Sequence, residues 1–312
     1  MTLVLWIARC FVRCLNALPQ GALNTLAWLL SALIYRLPWH KHAVIRCNLE
    51  LCFPELDDLA RRALHRRYLY ELFRLVFEAR VLWHWSAERI TNSIHVQNGE
   101  GLARLDPKAS TGTLYVGGHF GNWELLNLSL SMENPITTLY RAPNNPRLDC
   151  FINQPRERFG AQMVPGDRAA LKHLLKALRG GEAAAIAADI QPKRGDGLFV
   201  PFFGTETLTM TLVHKLARKT GCRVVLTDLR RNPDGRSWTQ TLMDATDLLD
   251  TDDAHQALTG INRWLEDRIR EAPAQYLWLY KRFNKRPEGE PARYPRFNKR
   301  ARASSMPPSS ID

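Results

Sequence analysis

The segment Gly117-Gly118-His119-Phe120-Gly121-Asn122-Trp123-Glu124 places an imidazole and a carboxylate five residues apart, directly after an apolar run at 113–116. An imidazole held at one nitrogen by a carboxylate offers the other as a base, and a base aimed at a hydroxyl makes that oxygen a nucleophile. Inside one helix, residues five apart point about 140° from each other. His119 and Glu124 therefore meet only if His119 lies in a turn and Glu124 in the first turn of a following helix. Gly121 permits the break and Asn122 is a favourable cap. In that geometry Glu124 accepts from the imidazole and His119 deprotonates a substrate hydroxyl that attacks an acyl thioester. Amides at the helix start, or a cation, would hold the oxyanion. The same spacing also allows His119 to cap the helix while Glu124 pairs with a surface arginine.

Strands are predicted at 113–116, 136–140, 183–188 and 223–228, and helices at 57–85, 122–132, 171–179, 209–220 and 257–271. Such alternation makes an α/β sheet covered by helices on both faces, so His119 projects from the carboxyl end of a strand, where such folds place their sites. Asp57 or Asp58 caps the long helix. Its Arg61, Arg62, Arg66, Arg67, Arg74 and Arg80 form a solvated face or meet phosphates.

The chain has 312 residues, 45% apolar and 24% charged, a globular balance. Lys and Arg outnumber Asp and Glu by 43 to 31, a net +12. That surplus favours nucleic acid, an anionic membrane surface or an acidic substrate. Cys10, Cys14, Cys47, Cys52, Cys150 and Cys222 form no Cys-x-x-Cys and no zinc-ligand spacing, so they read as reduced and the chain as facing the cytosol. No Gly-x-Ser-x-Gly, P-loop, Gly-x-Gly-x-x-Gly or His-Glu-x-x-His occurs, which removes the usual markers of serine hydrolases, nucleotide-binding enzymes and zinc proteases.

Residues 3–37 hold two apolar stretches separated by Pro19-Gln20-Gly21. Each is shorter than the ~20 residues of a spanning helix, and no signal cleavage site follows. Trp6, Trp28, Tyr35 and Trp39 lie among them, as in helices at a lipid–water boundary, and His40, Lys41, His42 and Arg46 add a basic flank for anionic head groups. Attachment either lying in the interface or spanning once fits these stretches; the alternative is a buried amphipathic hairpin. The organisation expected is a membrane-associated segment at 1–40, a catalytic domain at 41–290 and a flexible basic tail at 291–312.

The block from His119 to Glu124 resembles the His-x4-Asp/Glu block of glycerolipid-type acyltransferases, above all the bacterial lipid A late acyltransferases. Further blocks follow in order: Asn48-Leu49 with Cys52-Phe53-Pro54-Glu55-Leu56, Tyr140-Arg141 with Asn144-Asn145, Arg156, Gly181-Glu182 leading to Asp189, and 199–204. Tyr276-Leu277-Trp278 with Lys281-Arg282-Phe283 and Arg286-Pro287 completes them. The resemblance implies a glycerol-3-phosphate-acyltransferase-like α/β fold, a mixed sheet flanked by helices, with an N-terminal membrane-associated helical segment. It implies an acyl carrier protein thioester as donor, a lipid A precursor as acceptor and attachment to the cytoplasmic face of the inner membrane. No cofactor, metal or nucleic acid is implied.

His119 is then the base and Glu124 its orienter. Arg141 and Arg156 are cations for acceptor phosphates or the oxyanion, or else surface ion pairs, and Asp189 orients one of them or ends a strand. Phe199, Phe202 and Phe203 line an acyl pocket or the core. Lys281, Arg282, Lys285 and Arg286 meet a head group or the carrier protein, or form a solvated face. Two departures stand out: Asp189-Ile190-Gln191 replaces the family's Asp-Gln-Asp, and Tyr280 stands where a His is frequent. The rival readings are another lipid acceptor, or a basic binding module without catalysis.

Overall fold

The computed structural model describes residues 3–97, 99, 102, 110–167 and 169–294. Its strands are β1 (Ile94–Gln97), β2 (Thr113–Gly117), β3 (Ile136–Tyr140), β4 (Gln162–Pro165), β5 (Ala183–Ala187), β6 (Gly197–Phe202), β7 (Thr205–Met210), β8 (Arg223–Arg231) and β9 (Trp238–Asp244). Seven form one sheet in the order β1-β9-β8-β2-β5-β3-β4, while β6 and β7 form a separate antiparallel hairpin. Every neighbouring pair in the large sheet is parallel except β8 with β9. The helices are α1 (Leu3–Ala17), α2 (Gln20–Arg36), α3 (Lys41–Cys52), α4 (Asp58–His84), α5 (Ala87–Thr91), α6 (Trp123–Glu133), α7 (Pro146–Arg156), α8 (Ala170–Arg179), α9 (Leu212–Thr220), α10 (Thr246–Leu249) and α11 (Ala254–Glu271).

Parallel strands need both faces covered. On one face Leu114, Ala184, Ile186, Val224 and Leu226 pack against α8, α9 and α11. On the other, Tyr115, Ala183 and Val225 meet Ile90 of α5 and Leu125 and Leu128 of α6. The four predicted strands and the long helix capped by Asp57, whose carboxylate accepts the Ala60 amide at 2.7 Å, are all present. The helix expected at 209–220 starts at Leu212, because Thr205, Thr207 and Thr209 belong to β7. These β-branched residues at alternate positions pair with Phe202, Val200 and Leu198 of β6. The hairpin turns through Phe203 and Gly204, both at positive φ (48° and 68°). That backbone suits a tight hairpin but strains Phe203. Its amide donates to Glu266 at 2.8 Å and its ring packs on Phe53, which holds the conformation.

Several expected roles turn inward. Phe202 and Phe203 are buried in an aromatic core with Phe53, Tyr276, Trp278 and Phe283, so they pack the protein instead of lining a pocket. Arg282 is only 1% exposed and donates to Leu208 O and Thr209 Oγ1, both at 2.8 Å. Arg286 is buried against Glu206 O and Glu290, and Lys285 reaches Pro192 O. These cations stitch the C-terminal segment to the hairpin and do not form a solvated face. Arg74 is likewise buried, bonded to Gly235 O, and the Arg80 side chain lies outside the described residues. His42 points in to His65, its Nδ1 3.0 Å from His65 Nε2. Tyr294, expected in the tail, is buried and hydrogen-bonded to Asn48, so the folded domain reaches at least that residue. The rest of the expected tail, 295–312, lies outside the described residues.

The apolar start forms a helical hairpin. Leu23, Ala27 and Ser31 of α2 are buried, with Leu23, Ala27 and Leu15 packing on Phe77 of α4. The opposite stripe of Leu29, Leu33 and Leu37 is exposed, as are Trp6, Ile7, Phe11 and Trp28. Among the described residues no helix is long and apolar enough to cross a membrane.

Arg282→Ala removes a buried side chain and leaves two acceptors without their donor, so it should cost about 3 kcal/mol. A thermal melt should show a clear fall in Tm; an unchanged Tm would return Arg282 to the surface role.

Candidate active site

Strand register builds the site. β2 and β5 are adjacent and parallel, with Gly117 opposite Ala187. Two residues beyond those ends stand His119 and Asp189, which the register brings side by side. Asp189 Oδ2 accepts the His119 amide at 2.9 Å and Oδ1 pairs with Nδ1 at 2.8 Å. The carboxylate on the imidazole is therefore that of Asp189, not Glu124 as proximity in the chain suggested. With Nδ1 carrying the hydrogen, Nε2 is left with its lone pair. The His119 side chain is 23% exposed and that of Asp189 1%, so the imidazole is partly open and the carboxylate beside it sealed. Trp123 stands edge-on to the imidazole, ring centroids 5.1 Å apart, and limits its rotation.

Glycines shape the turn. A Cβ on Gly118 would sit 2.9 Å from Leu265 Cδ2 and 3.3 Å from the Asp189 carboxyl carbon. Gly121 has φ 64°, and a Cβ there would collide with the Leu229 carbonyl oxygen. A segment after α11 returns to hold this turn. Leu277 N donates to His119 O and Gly121 N to Gln275 O, both at 3.0 Å. Between them Tyr276 is buried, and burial together with the Asp189 charge and a hydrogen bond to it pushes its phenol well up. The sequence offers Tyr276 only as part of a signature; its contact with Asp189 depends on tertiary packing that spacing does not reveal.

Asn122 caps α6 as expected, its Oδ1 accepting from Leu125 N at 3.0 Å. Glu124, in the first turn, binds Arg156 at the end of α7 through both oxygens; the Nε–Oε2 bond is 2.7 Å. The two side chains are 22% and 18% exposed, so the pair opens on the same turn as His119. Arg141 follows β3, is exposed, and stands within reach of Tyr280. His119, Asp189 and Arg141 thus come from the carboxyl ends of three adjacent parallel strands, β2, β5 and β3. The two departures from the family pattern touch: Gln191 N donates to the Tyr280 hydroxyl at 2.8 Å. Among the described residues no cluster of His, Cys, Asp or Glu is arranged to hold a metal.

Burial alone would push the His119 imidazole down. The charge and hydrogen bond of Asp189, followed by the charge of Glu124, outweigh it and raise the pKa above the ordinary 6.5. Asp189 is the converse: burial would raise it, but His119 holds it below the usual carboxylate range.

Sheet, turn and imidazole together have the design of an α/β acyltransferase. The model of the bacterial lipid A biosynthesis acyltransferase family matches residues 1–285, and the chain belongs to that family. It is 32% identical over 262 residues to the lipid A biosynthesis lauroyltransferase of Escherichia coli (strain K12), covering 84% of this chain and 85% of that protein. It is 30% identical over 279 residues to a lipid A biosynthesis acyltransferase of Haemophilus influenzae, 88% of each chain. The palmitoleoyltransferase of Escherichia coli is 28% identical over 262 residues, 84% of each.

A base must be neutral to accept a proton, so kcat/KM should rise with pH through the raised His119 pKa, half-maximal above 6.5. Asp189→Asn removes the charge that raises it. The acid limb should move to lower pH while the plateau falls by about 10²–10⁴. A limb that stays in place would assign the titration to another group.

Proposed function

We propose that this acyltransferase moves a fatty acyl chain from an acyl carrier protein thioester to a hydroxyl of a lipid A precursor at the cytoplasmic face of the inner membrane. One observation carries the chemistry: His119 has a buried carboxylate on Nδ1 and a side chain that stays 23% exposed. The acceptor hydroxyl gives its proton to Nε2 as its oxygen attacks the thioester carbonyl. The tetrahedral oxyanion collapses, the carbon–sulfur bond breaks, and the departing thiolate takes the proton from the imidazolium. An ester and a free thiol result, and His119 is neutral again. Asp189 fixes the tautomer and stabilises the imidazolium.

Glu124 and Arg156 hold each other at the mouth of the site, where the guanidinium meets the acceptor or the oxyanion. Arg141, exposed one strand further out, meets an acceptor phosphate. Beside the turn, Tyr68, Leu72, Leu75, Trp123 and Leu277, together with Glu71, Gln275 and Arg231, line a small cavity of about 20 Å³, room for about one water. The names of the relatives support lipid A as acceptor. The exposed stripe of α1 and α2 supports attachment lying in the lipid interface, because Trp28 at 60% and Leu33 at 53% exposed are unfavourable in water.

His119→Ala and Glu124→Gln should each lower transfer from acylated carrier protein to a lipid A precursor by at least about 10²-fold. Mass spectrometry of the product reads this directly. Wild-type turnover in His119→Ala sinks the mechanism, and transfer to a lysophospholipid in place of the lipid A precursor moves the acceptor elsewhere.

Leu29→Glu with Leu33→Glu should abolish sedimentation with anionic vesicles without a large change in Tm, since both side chains are exposed. Retained sedimentation would place membrane contact on another surface.

A further inference from the structure

Asn122 serves two partners. While Oδ1 caps α6, Nδ2 donates to Glu78 Oε2 at 2.6 Å, although Glu78 lies 44 residues earlier, on α4. An ionised carboxylate only accepts, so Glu78 admits one amide orientation: nitrogen toward α4, oxygen toward α6. Arg231, the last residue of β8, donates to both oxygens of Glu78, with Nη2–Oε2 2.7 Å, and to Glu71 through Nη1 at 2.5 Å. Asn122, Glu78 and Arg231 are 3%, 7% and 4% exposed.

Arg231 also reaches the turn by a second route. Its amide donates to Gln275 Oε1 at 2.9 Å and its carbonyl accepts from Gln275 Nε2 at 3.0 Å. Gln275 O in turn accepts the Gly121 amide. A buried ion pair adds little net stability over an apolar core of the same volume. Its use here lies in geometry: Arg231 ties residue 122 to α4 through its guanidinium and residue 121 to the C-terminal segment through its backbone.

We propose that Glu78 and Arg231 are positioning residues for acyl transfer, fixing the orientation of the Asn122 amide and through it the first turn of α6 against His119. The proposal rests on the reading of His119 as the base. Disturbing the relay leaves the substrate contacts in place and moves reacting groups by a fraction of an ångström, so its effect falls on kcat.

The test is Asn122→Asp. Asp caps a helix as well as Asn does, so a role in capping alone predicts normal turnover. In the relay it sets one carboxylate against another. The expected result is a kcat about 10- to 100-fold lower with KM within about twofold. The ratio of variant to wild-type turnover should recover as pH falls, when the carboxyl pair takes up a proton and regains a donor. The double variant Glu78→Gln with Asn122→Asp reverses the hydrogen bond and keeps the net charge. The side-chain amide introduced on α4 would then donate to the carboxylate introduced at the cap and accept from Arg231, and most of the lost turnover should return. Normal turnover in Asn122→Asp, or a double variant no better than that single one, overturns the relay, whatever the single variant's stability. His119→Ala in the same assay separates the two readings. Turnover surviving that substitution sinks the base and this proposal with it; a dead His119→Ala beside an unimpaired Asn122→Asp sinks the positioning role alone.

Discussion

Everything at the site depends on how β2 is registered against β5. Gly117 opposite Ala187 puts the residues two beyond each strand side by side, and those residues are His119 and Asp189. A slip of one residue would turn every side chain of β5 to the other face and send Asp189 away from the imidazole. The neighbours enforce the register. β5 is built of four alanines and one isoleucine, small enough to lie between β2 and β3 beneath helices on both faces. Once placed, Asp189 is sealed from water, and a carboxylate in that position needs a partner for its charge. His119 supplies two donors, from ring and backbone, so fold and site close on the same contact.

This explains which parts of the site were legible in the chain. The glycine-flanked histidine after an apolar strand, the cap at Asn122 and Glu124 as a candidate follow from local residue types, while Arg156 and Asp189 were singled out by the resemblance. The pairing among them does not. Glu124 is near His119 in sequence and Asp189 is 70 residues away, yet adjacency of parallel strands is a long-range property that no local spacing encodes. The carboxylates exchanged the roles that proximity suggested: Asp189 holds the imidazole and Glu124 holds an arginine. The same limit hid β1, β4 and β9, short strands that make sense only beside their partners, and the β6–β7 hairpin, whose last threonine, Thr209, read as the start of the helix that follows.

Sequence blocks that looked ready for ligands proved to hold the protein together. Asn48 is buried and donates to Trp278 O at 2.7 Å and Tyr280 O at 2.9 Å, joining the first block to the last. Arg282 spends its charge on a backbone carbonyl and a hydroxyl. Such ties matter because the C-terminal segment they anchor also hydrogen-bonds the catalytic turn on both sides of Phe120. Gln191 and Tyr280 belong to this arrangement, since they link the strand end carrying Asp189 to that segment. A change at one alters the surroundings of the other.

α4 connects the parts that face different ways. It spans 27 residues, about 40 Å of rigid rod. Phe77 packs on the apolar hairpin, and the next residue, Glu78, turned about 100° around the helix, enters the network beneath Asn122. Tyr68, Leu72 and Leu75, further back along the same helix, line the small cavity beside Trp123. The helix that seats the hairpin with its outward apolar stripe therefore also supplies a fixed point for the turn that carries His119. For the interfacial attachment proposed above, an acceptor held in a lipid surface would reach His119 only if the height and tilt of the turn above that surface were set. Phe77 and Glu78, consecutive residues of one helix, tie the outward apolar stripe and the His119 turn to the same rigid element.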